Sequence, residues 1–188
     1  MDQSLILASA SPRRRELIGY MGVPFEVITS EADELLSGAP EVLVQENAWR
    51  KAKAVAEKYP GRLVLGADTL VYKNGKVMGK PRDEKEAYAM IESLSGDWHE
   101  VYTGVCLMKD GYRDIRCDVS RVLFAPLSPN SISAYIASGE PMDKAGGYAV
   151  QGRGGMFVKR IEGSYSNVIG LPLSLVRDML IAAGVQNL

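Results

Sequence analysis

Short apolar runs and longer amphipathic segments alternate along this chain, and the alternation predicts strands and helices in turn. Apolar runs at 5–8, 25–28 and 63–72 have strand length, and Ser11 before Pro12 can cap a helix between the first two. The later predicted elements are an Asn74-Gly75 hairpin turn, a helix ending at Leu94, strands over 99–108 and 112–124, a helix over 130–138, a strand over 156–161 and a helix over 172–183. Because helices and strands alternate early and hairpins dominate the middle, we expect an α/β fold with a mixed sheet.

The segment 40–59 has helical periodicity, and a lysine lies within its apolar stripe. The stripe consists of Val44, Ala48, Ala52, Val55 and Tyr59. Lys51 falls in the middle of this face, whereas Lys53 falls on the opposite side. A buried ammonium group needs a partner, so we expect Lys51 to reach an anion in a cleft and Lys53 to face solvent. The alternative is that Lys51 extends its charge to water along the apolar surface.

Asp68 interrupts the strongest predicted strand, at 63–72. A carboxylate in a central strand is costly unless it is paired, hydrogen-bonded or bound to a metal. Gly66 and Ala67 before it would let a ligand approach the backbone closely. Asp68 is therefore our first candidate for a catalytic carboxylate, the alternative being an aspartate on an edge strand that faces water.

Residues 9–16 form a candidate anion site. A strand, the small residues from Ser9 to Ser11 and a helix N-terminus follow one another, and backbone N–H groups at such a terminus favour negative charge. Arg13 and Arg14, with a third arginine at 15, oppose that dipole, which suggests a bound phosphate that outweighs the repulsion. Three solvated arginines on a surface helix are the alternative. Lys80, in the loop after the hairpin, either joins this site or is solvated.

Carboxylates and a glutamine supply further candidate chemistry. The acidic segment with Asp33 and Glu34 is either solvated or, together with Asp68, holds a divalent cation through oxygen ligands. Gln151 lies in a glycine-rich stretch whose small residues could admit a flat ligand, and its amide can both donate to and accept from a base edge. A glutamine at the surface is the alternative. His99, at the start of a strand, is interpreted as structural.

Composition narrows the class of protein. The 188 residues suit a single domain, 1–188, and a net charge of −1 provides no broad field for nucleic acid. Two separated cysteines and one histidine argue against a zinc or disulfide framework and fit a reducing cytoplasm. No apolar run approaches the ~18 residues of a membrane span.

Together, Ser9, Arg13, Arg14, Lys51 and Lys80 form an expected anion cradle beside the carboxylates. Such a combination suits polyphosphate chemistry, which depends mainly on positioning and charge neutralisation. No serine or cysteine is paired with a histidine in a triad motif, which argues against acyl transfer. These residues leave the direction of phosphate cleavage open.

Short motifs along nearly the whole chain resemble the Maf family of nucleoside triphosphate pyrophosphatases. They are Ser-Pro-Arg-Arg at 11–14, Gly-Ala-Asp-Thr at 66–69, Gly-Lys-Pro at 79–81, Leu-Ser-Gly at 94–96, Pro-Met-Asp-Lys-Ala-Gly at 141–146, Tyr148 with Gln151-Gly152, and Val-x-Gly-Leu-Pro at 168–172. The resemblance implies a Maf/ITPase-like fold with a largely antiparallel twisted sheet, flanking helices and a cleft between two lobes. It also implies metal-assisted hydrolysis of a triphosphate to monophosphate and pyrophosphate, and a possible homodimer.

The same resemblance implies roles for individual residues. Asp68 would be the proton acceptor that activates water. For the implied divalent ion, Mg²⁺ or Mn²⁺, our candidate ligands are Asp68 and Glu34. Arg13, Thr69 and Gln151 match the branch that acts on dTTP and UTP, a role in clearing unwanted nucleotides that could extend to modified pyrimidine triphosphates. A neutral Gln151 suits the imide edge of a pyrimidine, which presents both a donor and an acceptor.

Two other classes of function compete with this one. The family is also named for inhibition of septum formation, so the chain could be a regulator that binds nucleotide without turnover. A nucleic-acid-binding module using the arginines is disfavoured by the near-neutral charge and the lack of an aromatic-basic pattern.

Overall fold

The computed structural model describes residues 4–186 and residue 188. Its strands are β1 (Leu5–Leu7), β2 (Phe25–Val27), β3 (Val64–Lys73), β4 (Lys76–Met78), β5 (Trp98–Lys109), β6 (Tyr112–Phe124) and β7 (Val158–Glu162). Its α-helices are α1 (Pro12–Gly19), α2 (Pro40–Ala56), α3 (Glu84–Leu94), α4 (Pro129–Ile136), α5 (Tyr165–Ile169) and α6 (Leu173–Ala182). Among these described helices, none combines the length and the apolar character needed to span a membrane.

The strands form one mixed sheet in the order β2-β1-β3-β5-β6-β7, with β4 paired to β3. Strand β1 is parallel to both β2 and β3, whereas β4 is antiparallel to β3 and β7 is antiparallel to β6. The sheet is largely antiparallel and helices flank it, so the predicted α/β fold class is confirmed.

The chain divides into two compact units, each with its own apolar core. The first contains the described residues up to Asp68, Thr103–Asp118 and the described residues from Gly170 onward, and the second contains Thr69–Tyr102 and Val119–Ile169. In the first unit, the buried residues of one cluster are Ile6, Ala8, Ala48, Ala52, Val55, Val64 and Cys106. This cluster places the apolar stripe of α2 against β1 and β3.

Helix α2 approaches the sheet so closely that two strand positions have no room for a side chain. A Cβ atom at Gly66 in β3 would lie 2.4 Å from the carbonyl oxygen of Ala48 and 2.8 Å from the amide nitrogen of Ala52. A Cβ atom at Gly104 in β5 would lie 2.3 Å from the carbonyl group of Val44. The predicted inward face of α2 is therefore confirmed, and Gly66 serves helix packing.

In the second unit, His99 is a core residue. Its Nε2 atom lies 2.7 Å from the hydroxyl oxygen of Tyr148, and its ring packs edge-on against Phe124. Burial, with a smaller effect of the nearby Lys73 charge, lowers the pKa of His99 to about 3. These contacts support the structural interpretation of His99.

The structure differs from the predicted elements mainly in the C-terminal third. Residues Arg153–Phe157 form a 3-10 helix, so β7 begins at Val158 rather than at the predicted position 156. Helix α5 was not predicted, although the hydroxyl of Ser164 accepts a hydrogen bond from the Asn167 amide 3.2 Å away and so caps it. At five residues, α5 is too short to show helical periodicity in the sequence.

We expect Gly66→Ala to lower the free energy of unfolding by about 1–3 kcal/mol, because the new methyl group would push two backbones apart. Chemical denaturation measures the change. Gly19→Ala is the matched control, since no atom lies within 4 Å of a Cβ there and alanine favours a helix. Equal stability of the Gly66→Ala variant and the wild type would contradict the close approach of α2.

His99 should make stability depend on pH. Because its pKa is lower in the folded than in the unfolded chain, the unfolded chain binds the extra proton first as pH falls, and stability is lost from about pH 6.5 down to about pH 3. Denaturation midpoints of the wild type and His99→Gln between pH 7 and 5 test this. The variant should show the smaller slope, and an identical slope would refute the assignment.

Candidate active site

The N-terminus of α1 has the predicted cap. The Ser11 hydroxyl accepts a hydrogen bond from the Arg14 amide 3.4 Å away, and Pro12 occupies the first helical turn. Two residues before Ser11, the buried Ser9 side chain accepts a hydrogen bond from the Ser11 amide at 3.2 Å. The turn from β1 into α1 is thus held by two serine side chains.

Arg14 is buried, with only 9% of its surface exposed. Its Nε atom donates to the carbonyl oxygen of Gly170 at 2.8 Å, and its Nη1 atom donates to the Ser9 hydroxyl at 3.4 Å. Burial lowers the pKa of Arg14; attraction by Asp68 opposes this shift, and repulsion by Arg13 adds to it. The alternative of a solvated arginine is therefore wrong for Arg14, while Arg13 is partly exposed and Arg15 is exposed.

Asp68 and Lys51 form an ion pair. The Lys51 ammonium nitrogen lies 2.7 Å from Oδ1 of Asp68, and the two side chains are 14% and 13% exposed. Asp68 is thus neither an edge residue facing water nor unpaired. Lys51 thus has the anionic partner expected of a buried ammonium group, a carboxylate of the chain itself, and its contact with phosphate stays a prediction. Lys53 is exposed, as predicted.

A second carboxylate converges on the same lysine. Oε1 of Glu34 lies 2.5 Å from the Lys51 ammonium nitrogen, and Glu34 is half exposed. Of the two acidic candidates in this segment, Glu34 makes the contact with Lys51. The other candidate, Asp33, is exposed. The acidic segment therefore joins the site through the ammonium group of Lys51.

Asn47 was not singled out in the sequence, yet it joins the acidic segment to Asp68. Its Oδ1 accepts from the Leu35 amide at 2.7 Å, and its Nδ2 donates to the Leu35 carbonyl oxygen at 3.0 Å and to Oδ2 of Asp68 at 3.1 Å. The available signal was a polar residue within the apolar stripe, four positions before Lys51. Asn47 and Lys51 divide the two oxygens of Asp68 between them.

The donor set fits a divalent cation. Carboxylate oxygens of Asp68 and Glu34 already converge on one positively charged atom, the Lys51 ammonium nitrogen. Within residues 4–186 and 188, no three acidic, histidine or cysteine side chains form a complete protein site for a metal. The two carboxylates offer oxygen donors, the ligand type that Mg²⁺ takes together with phosphates and water.

Three candidate residues belong to the second unit, whereas the residues described above belong to the first. Thr69 follows Asp68 in β3, Lys80 lies in an exposed loop after β4, and Gln151 is exposed in the glycine-rich segment. The Gly79 carbonyl next to Lys80 accepts a hydrogen bond from the Gly146 amide at 3.0 Å. The contribution of Thr69, Lys80 and Gln151 to the site stays a prediction.

We expect Asn47→Asp to lower the free energy of unfolding by about 1–3 kcal/mol, because it removes two hydrogen-bond donors and sets a second carboxylate against Asp68. Urea denaturation at neutral pH measures this change. Asn130→Asp, at an exposed position in the first turn of α4, adds the same charge and should change stability by less than about 0.5 kcal/mol. Equal effects of the two substitutions would show that Asn47 does not hold Asp68.

Comparison with solved structures supports the fold. The Ham1 protein of Staphylococcus aureus aligns over 96% of this chain and 99% of its own, with a TM-score of 0.56. Its sequence identity is 12%. At that identity the likeness concerns the fold alone.

Sequence comparison is more specific. A protein named dTTP/UTP pyrophosphatase from Geobacillus sp. strain WCH70 is 48% identical over 174 residues, 92% of this chain and 94% of the relative. A protein of the same name from Symbiobacterium thermophilum is 48% identical over 97% of this chain and 95% of the relative. Residues 4–183 match the family described as Maf-like protein. The chain therefore belongs to the Maf family.

Proposed function

We propose that this protein hydrolyses dTTP and UTP to the nucleoside monophosphate and pyrophosphate. The observation that carries the proposal is the convergence of Asp68 and Glu34 on the Lys51 ammonium group, near the buried Arg14 whose pKa both carboxylates influence. Relatives that are 46–48% identical along nearly the whole chain carry the name of that activity. The charged residues of the site suit a triphosphate, and the names of the relatives indicate which reaction it undergoes.

The charges of the candidate site suit a polyphosphate. Arg13, Arg14 and Lys51 carry three positive charges against the two negative charges of Asp68 and Glu34, so three minus two leaves one positive charge. A divalent cation would raise this excess to three. The Ser9 hydroxyl and the Lys80 ammonium group are proposed as further phosphate ligands. Fixed cations of this kind stabilise the negative charge that develops during phosphoryl transfer.

Asp68 is the proposed proton acceptor. A water oxygen attacks the α-phosphorus, the bond from that phosphorus to the α,β-bridging oxygen breaks, and pyrophosphate leaves while the water proton passes to Asp68. Asn47 and Lys51 hold the two carboxylate oxygens at 3.1 and 2.7 Å, so the carboxylate has a defined orientation. Such positioning is a large part of catalysis between bound groups.

Asp68 and Glu34 would hold the proposed Mg²⁺ or Mn²⁺. When bound, the ion would neutralise phosphate charge and polarise the phosphoryl oxygens. Besides pairing with Asp68, Lys51 would contact the phosphates. Its flexible side chain lets the ammonium group move between neighbouring anions.

Base selection is assigned to Arg13, Thr69 and Gln151. The Gln151 amide offers a donor and an acceptor, which matches the N3–H and carbonyl groups of thymine and uracil. Both thymine and uracil present this edge, so the same residue suits dTTP and UTP.

Asp68→Asn should lower the rate of pyrophosphate release from dTTP and UTP by about 100-fold or more, because amide nitrogen cannot accept the proton. Pyrophosphate and inorganic phosphate are measured separately with Mg²⁺ or Mn²⁺ for wild type and variant. Asp114→Asn is the matched control, because Asp114 is similarly buried and paired with Arg116 at 2.8 Å.

The control variant should retain wild-type activity within about threefold. Release of inorganic phosphate instead of pyrophosphate would contradict the proposed direction of cleavage. Absence of turnover for every nucleotide by the wild type would reject the enzyme and favour a nucleotide-binding regulator.

A further inference from the structure

The glycine-rich segment that carries Gln151 is held by one carboxylate. Oε2 of Glu140 accepts a hydrogen bond from the Arg153 amide at 2.9 Å, and Oε1 accepts from the Gly154 amide at 3.0 Å. Burial alone would raise the pKa of Glu140, but these two amide donors, together with the Tyr135 hydroxyl and the Lys144 charge, outweigh it and lower the pKa. Glu140 is therefore a charged acceptor for two consecutive backbone N–H groups, which start two residues after Gln151.

Gly152 shows how closely this carboxylate lies against the chain. A Cβ atom at Gly152 would lie 2.6 Å from Oε1 of Glu140. The backbone at Gly152 has φ −165° and ψ −159°, an extended conformation open to any residue. A side chain at position 152 would therefore displace the Glu140 carboxylate, although the backbone conformation there suits any residue.

Neighbouring groups fix Glu140 in turn. The Tyr135 hydroxyl lies 3.3 Å from Oε1 of Glu140 and 3.1 Å from the Gly147 carbonyl oxygen, so it joins two glycine-rich stretches. The Lys144 ammonium group donates to the main-chain carbonyl of Glu140 at 2.7 Å. Both the side chain and the backbone of Glu140 are held by the second unit.

Gln151 itself is exposed, and its side chain makes no hydrogen bond to another described residue. The location of its amide therefore depends on the backbone that Glu140 holds. A displacement of about 1 Å in a binding group can weaken a reaction by about 100-fold. The contact between Glu140 and residues 153–154 is a direct constraint on that backbone, beside the hydrogen bond from the Gly155 amide to the Gly152 carbonyl oxygen at 3.0 Å.

We propose that Glu140 is a positioning residue for base selection. It holds the backbone of the Gln151 segment so that the Gln151 amide can reach the edge of a pyrimidine base. The inference rests on the proposed function, because it assumes that Gln151 contacts the base. It adds a residue that neither contacts phosphate nor takes part in proton transfer.

Steady-state kinetics of Glu140→Gln and Glu140→Ala with dTTP, UTP and GTP test this role. The glutamine amide can accept only one of the two backbone hydrogen bonds, and alanine accepts neither. We expect KM for dTTP and UTP to rise about threefold in Glu140→Gln and about tenfold or more in Glu140→Ala, with kcat changed less than about threefold. The preference over the larger base of GTP should shrink in the same order.

Glu162→Gln is the matched control. It removes a carboxylate of the same unit that pairs with Arg121 at 3.1 Å on an exposed surface. The control should keep wild-type KM values. Amide hydrogen exchange at Arg153 and Gly154 should be faster in Glu140→Gln and unchanged in Glu162→Gln.

Gly152→Ala disturbs the same contact by changing the partner of Glu140 instead of Glu140 itself. It replaces the Glu140 variants as the test if they do not fold. It should raise KM for dTTP and UTP because the added methyl group displaces the Glu140 carboxylate. An equal fall in kcat for all three nucleotides, or an unchanged preference over GTP, would overturn the proposal.

Binding in an Asp68→Asn background separates this inference from the proposed function. Calorimetry measures the affinities for UTP and GTP of Asp68→Asn and of Asp68→Asn/Glu140→Gln. Loss of the UTP preference only in the double variant supports the role of Glu140, even if the wild type shows no turnover. The same preference in both proteins refutes it, even if the wild type releases pyrophosphate.

Discussion

The close approach of α2 to β3 is the constraint on which the candidate site depends. Gly66 and Asp68 are two residues apart in β3, so both face the helix. Gly66 leaves room for the backbone of α2 at Ala48, and this proximity brings Asn47 and Lys51 within hydrogen-bond distance of Asp68. A side chain at position 66 would separate the two elements and lengthen both contacts. The packing of α2 against β3 therefore sets the geometry of the site.

Two loops are positioned by the same physical means, a polar side chain that binds backbone groups. Asn47 satisfies both the N–H and the C=O of Leu35, which fixes the segment that carries Glu34. Glu140 binds two consecutive N–H groups next to Gln151. Irregular segments have little periodic hydrogen bonding of their own, so a polar side chain from another part of the chain can fix them.

Much of the fold was accessible from local patterns. The inward face of α2, the Ser11 cap and the strand around Asp68 each follow from periodicity or from a residue type at one position. The short helix α5 was not predicted, because it is shorter than the window in which periodicity can be recognised. Gly66 was attributed to ligand access, but its actual neighbour is a helix, which local sequence could not reveal.

By itself the sequence determined that Asp68 and Lys51 needed partners, because a charge within an apolar pattern is costly wherever the chain folds. The tertiary structure decided that they are each other's partners and that Glu34 joins them. It also decided that Arg14 is held by the carbonyl of Gly170, 156 positions away. Periodicity reports which way a side chain faces within its own element, whereas the identity of a partner depends on contacts between segments remote in the chain.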